Sequence, residues 1–301
     1  MTTHLHFESL PGIAGSYLRA AVGRRPGLAP GGTIARIEAS LAPVRPDAAL
    51  LARYNELCGF SGREALPPTY LHVLAVPLHM AMLTHPDFPL ATLGLVHVAQ
   101  RIEQYTPILV GAAVSLHCEV EGHKPARKGV TFDLITEGRV DGKLCWRGVT
   151  TVLARSDVGR AEPPTTTGGP APTIPAPGLH VTQWRIPENL GRKYAAIAKD
   201  RNPIHLHAAA AKMFGFRRAI IHGMWTMAQA LAALESTWPP APTLFTCEFK
   251  RPIFLPSSVD FAHKALPDGG QAYAVWRPGT DKVHLHGLIV PLPATTGHDE
   301  G

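Results

Sequence analysis

The sequence predicts an α+β protein built as two repeats, each wrapping an antiparallel sheet around one buried helix. A weak internal repeat, a helix that is apolar nearly all round and a low-complexity divider between the halves point that way. In the first half a helix-like stretch at 72–83 precedes an apolar-alternating stretch at 96–102. A turn follows, Tyr105-Thr106-Pro107-Ile108, and then strand-like runs at 113–120, 129–136 and 143–153. In the second half the order recurs: a helix at 224–235, a strand at 243–249, and the turn Lys250-Arg251-Pro252-Ile253. Strands at 259–265, 271–277 and 282–290 complete it. Pro107 and Pro252 both fall at strand boundaries, where a missing N–H costs little.

The 224–235 helix is the clearest element. Met224, Met227, Ala228, Leu231 and Leu234 recur at helical spacing, and Trp225, Ala230, Ala232 and Ala233 fill the other face. A helix apolar on every side belongs in a core. Pro239 and Pro240 end it. Residues 156–178 are rich in Pro, Gly and Thr and almost free of large apolar side chains, so they read as an extended linker. The expected organisation is a first repeat at 1–155, the linker, a second repeat at 179–293 and a flexible tail at 294–301.

Composition removes several function classes. The 301 residues carry 45% hydrophobic and 17% charged side chains, ordinary for a globular protein. The net charge of +6 is scattered, without the basic runs of a nucleic-acid arm, and suits either simple solubility or an anionic small ligand. No apolar stretch reaches the ~18 residues of a membrane span, and no secretory leader is evident at the start. Cys58, Cys118, Cys145 and Cys247 lie far apart, the pattern of reduced thiols in a cytoplasmic protein. Three His pairs at i, i+2 (His4/His6, His205/His207, His284/His286) lack an accompanying ligand cluster in the sequence, so no metal is expected.

The chemistry-bearing segment lies between linker and buried helix, where Asp200, Asn202 and His205 fall within six residues. The Asn202-Pro203 step disfavours helix and forces a turn, which can aim Asp200 and His205 at one volume. A carboxylate and an imidazole so placed can grip a water, one accepting its proton while the other stabilises or delivers a second. The bland alternative is a turn cap, an Asx-turn and a core histidine. A short Ala-rich helix at 208–214 follows, with Gly215 as its C-terminal cap. His222-Gly223-Met224 then opens the buried helix. Gly223 there lets a carbonyl approach the first-turn N–H groups, making an oxyanion donor, or else merely permits close packing.

These two blocks together resemble the MaoC-like, (R)-specific enoyl-CoA hydratases of the hot-dog fold. The matching residues are Tyr194, Asp200, Asn202, Pro203, Ile204, His205, Gly215, Phe216, His222, Gly223 and Met224. The resemblance implies a double hot-dog whose second repeat alone is catalytic. It implies that Asp200 and His205 activate water for addition across a trans-2-enoyl thioester, giving a (3R)-hydroxyacyl product or the reverse. It implies that Asn202 supports the pair, that the Gly223 N–H is the oxyanion donor, and that Tyr194, His222 and Met224 line the substrate site. The first repeat would shape the acyl tunnel. No cofactor beyond the thioester substrate is implied, whether that is carried on coenzyme A or on a carrier protein. Lys250 and Arg251, with Lys193, Arg217 and Arg218, are candidates for its phosphates, against the alternative of solvated surface charge. Neither nucleic acid nor membrane is an expected partner; monomer and homodimer are both open. A hot-dog thioesterase and a non-catalytic acyl-CoA-binding subunit are the rival functions. Lys199 stands where the family has Gly, and His207 where it has Asp.

Overall fold

The computed structural model describes residues 2–29, 31–155 and 182–292. The expected linker at 156–178 and tail at 294–301 lie outside these residues.

The first half runs β1 (Thr3–Phe7), α1 (Ile13–Val22), β2 (Ile37–Val44), α2 (Ala48–Cys58), α3 (Tyr70–Leu83), β3 (Val96–Gln104), β4 (Val114–Val120), β5 (Lys124–Ala126), β6 (Gly129–Val140) and β7 (Lys143–Arg155). The second runs β8 (Thr182–Ile186), α4 (Leu190–Ala198), α5 (Ala208–Met213), α6 (Gly223–Ala233), β9 (Thr243–Phe249), β10 (Ser257–Ala265), β11 (Gln271–Trp276) and β12 (Val283–Pro291). Single 3-10 turns occupy Pro203–His205 and Glu235–Thr237.

The strands form one 12-stranded sheet in the order β1-β2-β4-β6-β7-β3-β9-β12-β11-β10-β8, with β5 on β6. All pairings are antiparallel except β1 with β2. The order is symmetric about the β3–β9 pair: β2-β4-β6-β7-β3 on one side mirrors β8-β10-β11-β12-β9 on the other. The sequence repeat is therefore a structural repeat, and each half curls its sheet around one helix, α3 or α6. The two halves join through β3 and β9, with Arg101 opposite Thr246.

Burial explains why these two helices are central. Twelve residues of α3 are buried, and from Met224 to Leu231 only Gln229 of α6 is not. Pro77 lies inside α3. It denies the Val73 carbonyl its usual i+4 donor, a cost the surrounding packing must cover. β4 and β6 alternate buried and half-buried residues, as expected of strands with one face on a core. Every residue of β11 is buried. The sequence pattern located α3, α6 and the four following strands of each half, mostly within a few residues of their ends. It did not resolve β1, β2, α1, α2, β8 or α4, whose short patterns are weak. All four cysteines are free and buried. Among the described residues no helix is long and apolar enough to cross a membrane.

Leu231 on α6 is fully buried, whereas Val22 at the end of α1 is exposed. Leu231→Ala should cost about 2–5 kcal/mol in denaturant unfolding, and Val22→Ala less than about 0.5 kcal/mol. Equal costs would mean that α6 is not the core helix.

Candidate active site

The site is built by a turn that its own side chains close. α4 ends at Lys199, which adopts a left-handed φ of 61°. Glycine takes this conformation without strain, so Lys199 bears a backbone cost where the resembling family has Gly. Asp200 follows, and its Oδ1 accepts the Asn202 N–H at 3.1 Å. The Asn202 side chain accepts the Ile204 N–H at 3.4 Å, and Pro203 opens the 3-10 turn that ends on His205. The turn-forming roles of Asp200 and Asn202 are thus real, and they coexist with a place at the cavity wall. The turn lies directly on α4: a Cβ on Gly191 would sit 2.2 Å from the His205 carbonyl oxygen. Ile220 then pins the turn from the other side. Its N–H donates to the Ile204 carbonyl at 3.1 Å and its carbonyl accepts from His205 Nδ1 at 2.9 Å.

That last bond fixes the His205 tautomer. A carbonyl only accepts, so Nδ1 carries the proton and Nε2 presents a lone pair. His205 Nε2 stands 3.9 Å from Asp200 Oδ2, too far for a direct hydrogen bond and suited to a bridging group. His222 stacks on His205, with ring centroids 3.7 Å apart and 25° between planes. Its Nε2 donates to the Asp200 carbonyl oxygen at 3.0 Å, while its Nδ1 is buried without a partner. The other Asp200 oxygen is held from the first half: the Tyr17 hydroxyl donates to Oδ1 at 3.3 Å and accepts the Arg201 N–H at 2.6 Å. Tyr194 packs on His222 at 4.9 Å, its own hydroxyl buried and unpartnered.

Electrostatics separate the acid from the bases. Burial lowers His205, outweighing the pull of Asp200 and the Ile220 carbonyl, so the ring is neutral near pH 7. Burial, with His205 alongside, takes His222 down to about 3. Burial pushes the Asp200 carboxyl up, but His222, His205 and the Asn202 N–H offset this and leave it below its ordinary value. Asp200 is therefore an anion facing two neutral imidazoles, and its side chain keeps 38% exposure toward the cavity.

The cavity, of about 310 Å³, is walled by Asp200, Asn202, His205, His222, Gly223 and Met224 together with Tyr194, Lys250 and Arg251, so these sequence-derived site residues meet there, whereas Lys193, Arg217 and Arg218 do not line it. Gly223 is the first residue of α6, and its first-turn N–H lacks an intrahelical partner. A Cβ there would reach 2.8 Å from the Phe249 ring, so packing also demands the glycine. Lys250 forms an ion pair with Glu248, and Arg251 donates to the Val283 carbonyl at 3.1 Å. Arg217 and Arg218 stack over Phe254, at 4.4 and 5.8 Å. With Arg251, Arg277 and Lys282 they line a second groove that shares Arg251, Pro252, Ile253 and His284 with the cavity. Lys193 is exposed and does not line it.

Sequence reasoning missed Tyr17, His72, His97, Lys128 and Arg155 at this site; Tyr17 meets Asp200 and the rest line the cavity. The first four carry no motif; Arg155 follows an apolar strand and looks like an ordinary surface charge. The sequence also suggested that the histidine pairs lack carboxylates. The fold brings His4 to Glu38 and adds His222 to the expected Asp200 and His205 pair, so that Asp200, His205 and His222 present ligand-type atoms within 4.8 Å of one another. His222 Nε2 is already engaged by the Asp200 carbonyl oxygen, while its Nδ1 has no partner.

Known proteins resemble this chain in sequence and fold. A family described as the MaoC like domain matches residues 169–266. The chain is 33% identical over 255 residues to 3-hydroxyacyl-thioester dehydratase X of Mycobacterium tuberculosis, covering 84% of this chain and 89% of that protein. It superimposes on the crystal structure of HtdX of Mycobacterium tuberculosis with a TM-score of 0.73 at 30% identity, covering 85% of this chain and 100% of that one. A second Mycobacterium tuberculosis protein, described as a double hot-dog fold, matches with a TM-score of 0.51 at 14% identity, covering 83% and 94%. The symmetric sheet about β3–β9 is that double hot-dog.

The neutral histidines give the fold a pH signature. His222 and His79 are lowered by burial to about 3, His97 to about 4, and His72 and His205 are lowered too. A histidine with a depressed folded value binds its proton in the unfolded chain first, at ~6.5. Stability is therefore full above that pH and drains as pH falls toward the folded values. Asp200, lowered, loses its contribution only below the ordinary carboxylate range. The melting temperature should fall steadily between about pH 6.5 and pH 4.5; a flat profile there would mean the rings are not buried neutral.

Proposed function

Because the chain belongs to the MaoC-like dehydratase family, we propose that it interconverts a trans-2-enoyl thioester and its (3R)-hydroxyacyl thioester by adding or removing water at Asp200 and His205. The observation that carries this is the pair of lone-pair acceptors, Asp200 Oδ2 and His205 Nε2, set 3.9 Å apart beneath the start of α6. Two acceptors cannot bond each other, but they suit one water that donates a hydrogen to each and turns its lone pair toward a substrate carbon. The (3R) assignment rests on the resemblance of the two motif blocks.

In the hydration direction the water oxygen bonds to C3 and one of its protons passes to the pair. The C2=C3 electrons shift to the thioester carbonyl, and a proton returned to C2 completes the addition. The developing enolate oxygen needs a fixed donor, which the Gly223 N–H at the positive end of α6 supplies. Tyr17 and the Asn202 N–H occupy Asp200 Oδ1, so Oδ2 is the oxygen free for water. His222, holding the Asp200 backbone and stacked on His205, positions both groups.

A coenzyme A carrier suits the surroundings. Lys128, Arg155, Lys250 and Arg251 line the cavity, and Arg217, Arg218, Arg277 and Lys282 line the adjoining groove. Such a path matches a pantetheine arm leading out to anionic phosphates.

Separate Asp200→Asn and His205→Gln variants should each lower hydration of a crotonyl thioester, followed at its ultraviolet band, by about 10²–10⁴-fold. Near-wild-type rates in both folded variants would contradict the mechanism. Thiol release with the double bond intact would identify a thioesterase instead, and tight binding without turnover a binding subunit. Arg217→Ala with Arg277→Ala should raise KM for the coenzyme A thioester several-fold while leaving the matching pantetheine thioester unaffected. Equal effects on both would remove the phosphates from this groove.

A further inference from the structure

Beside Asp200 the cavity continues into a smaller chamber of about 120 Å³ inside the first half. The two spaces share His72, Val76, Leu95, His97, Asp200 and Asn202 as walls. Much of its wall is apolar, including Leu83, Leu95, Leu134 and Val152, but three imidazoles and a threonine interrupt it: His72 and His79 on α3, His97 on β3, and Thr150 on β7. The ring centroid of His72 lies 5.8 Å from that of His79 and 5.7 Å from that of His97.

The hydrogen bonds fix what these groups still offer. His97 Nε2 is 2.9 Å from the Ala99 carbonyl, so Nε2 donates and Nδ1 keeps a lone pair. The Thr136 hydroxyl donates to Cys118 Sγ at 3.4 Å, so it accepts from His79 Nε2 at 2.8 Å, and His79 Nδ1 keeps a lone pair. The Thr150 hydroxyl donates to Gln100 Oε1 at 2.8 Å, so it accepts from His72 Nδ1 at 3.4 Å, leaving His72 Nε2 a lone pair. Burial keeps all three rings neutral, and the charged neighbour of the chamber, Asp200, is an anion. Each ring's donor is spent inside the protein and each ring's acceptor is left over. A carboxylate or phosphate there would face the Asp200 anion and three ring lone pairs, with the Asn202 amide N–H set against them, and an alkyl end would strip water from nitrogens without replacing its hydrogen bonds, a loss that polar-specific sites use to reject apolar analogues.

We infer that the acyl group handled at this site carries a neutral hydrogen-bond donor, a hydroxyl, a few atoms beyond the reacting carbons, and that the histidine chamber seats it. The size agrees: the chamber's 120 Å³ is less than half the 310 Å³ of the main cavity, room for the end of an acyl chain. The inference rests on the hydratase assignment and adds the substrate class to it.

The test compares pairs of equal heavy-atom count, so that bulk is held constant. 6-Hydroxyhex-2-enoyl-coenzyme A is set against hept-2-enoyl-coenzyme A, and 5-hydroxypent-2-enoyl against hex-2-enoyl. At one length or both, the hydroxylated substrate should have a kcat/KM at least tenfold higher. A paired His79→Leu, Thr136→Val substitution should erase the preference. Equal or better turnover of the alkyl member at both lengths overturns the inference while leaving the hydratase assignment standing. Titration with the saturated pair, 6-hydroxyhexanoyl- and heptanoyl-coenzyme A, separates the two further, because it reads the chamber without chemistry. Tenfold tighter binding of the hydroxyl form supports the chamber even if no enoyl thioester is hydrated. Equal binding overturns it whether or not the variant folds.

Discussion

The pairing of β3 with β9 is the constraint on which the rest of the molecule depends. It makes one sheet of two half-sheets, and it places the wall of one half against the wall of the other. Phe249, at the end of β9, touches both: its ring lies 4.8 Å from the His97 ring on β3 and leaves Gly223 no room for a side chain. The start of α6 and the histidine chamber of the first half thereby become two parts of one cavity. Neither half has that cavity alone. Tyr17 strengthens the dependence by reaching from α1 to the Asp200 carboxylate, 183 residues away in sequence.

The symmetry also shows where the halves diverged. β2, α2 and α3 of the first half correspond to β8, α4 and α6 of the second. Between α2 and α3 lies Gly59-Phe60-Ser61-Gly62-Arg63, ending in Pro67-Pro68-Thr69, without the Asp200-to-His205 pattern. In the second half the equivalent interval carries the turn, α5 and the His222-Gly223 start of α6. The first half instead put polar groups on its central helix, with His72 and His79 two turns apart on α3. One repeat carries the Asp200-to-His205 turn and the other a shaped, partly polar wall. The cost is visible in five neutral histidines, three buried and two half-buried, each of which opposes folding as the solution becomes acidic.

Much of this was legible in the sequence, and the reason differs by element. α6 was legible because its apolar residues cover every face, and the strands after it because they alternate. The site's core was legible because Asp200, Asn202, Pro203 and His205 are local: an Asn-Pro turn constrains its neighbours without help from the rest of the chain. Gly223 was legible as the start of a buried helix. What could not be read was contact at a distance. Tyr17 is one tyrosine in an unremarkable amphipathic stretch, and His72 and His97 look like interruptions of apolar runs. Their meaning comes only from β3–β9 pairing, which sequence periodicity does not encode. The Lys199 departure is visible in the sequence, but its left-handed backbone is visible only in the structure.

A crystal structure of the Asp200→Asn variant with a bound enoyl thioester tests the central claim most directly. The thioester oxygen should lie about 3 Å from the Gly223 nitrogen, with C3 between residue 200 and His205 and the acyl end directed toward His79 and Thr150. A carbonyl placed away from the α6 start, or an acyl group running out past Tyr17 along α1, would contradict the account.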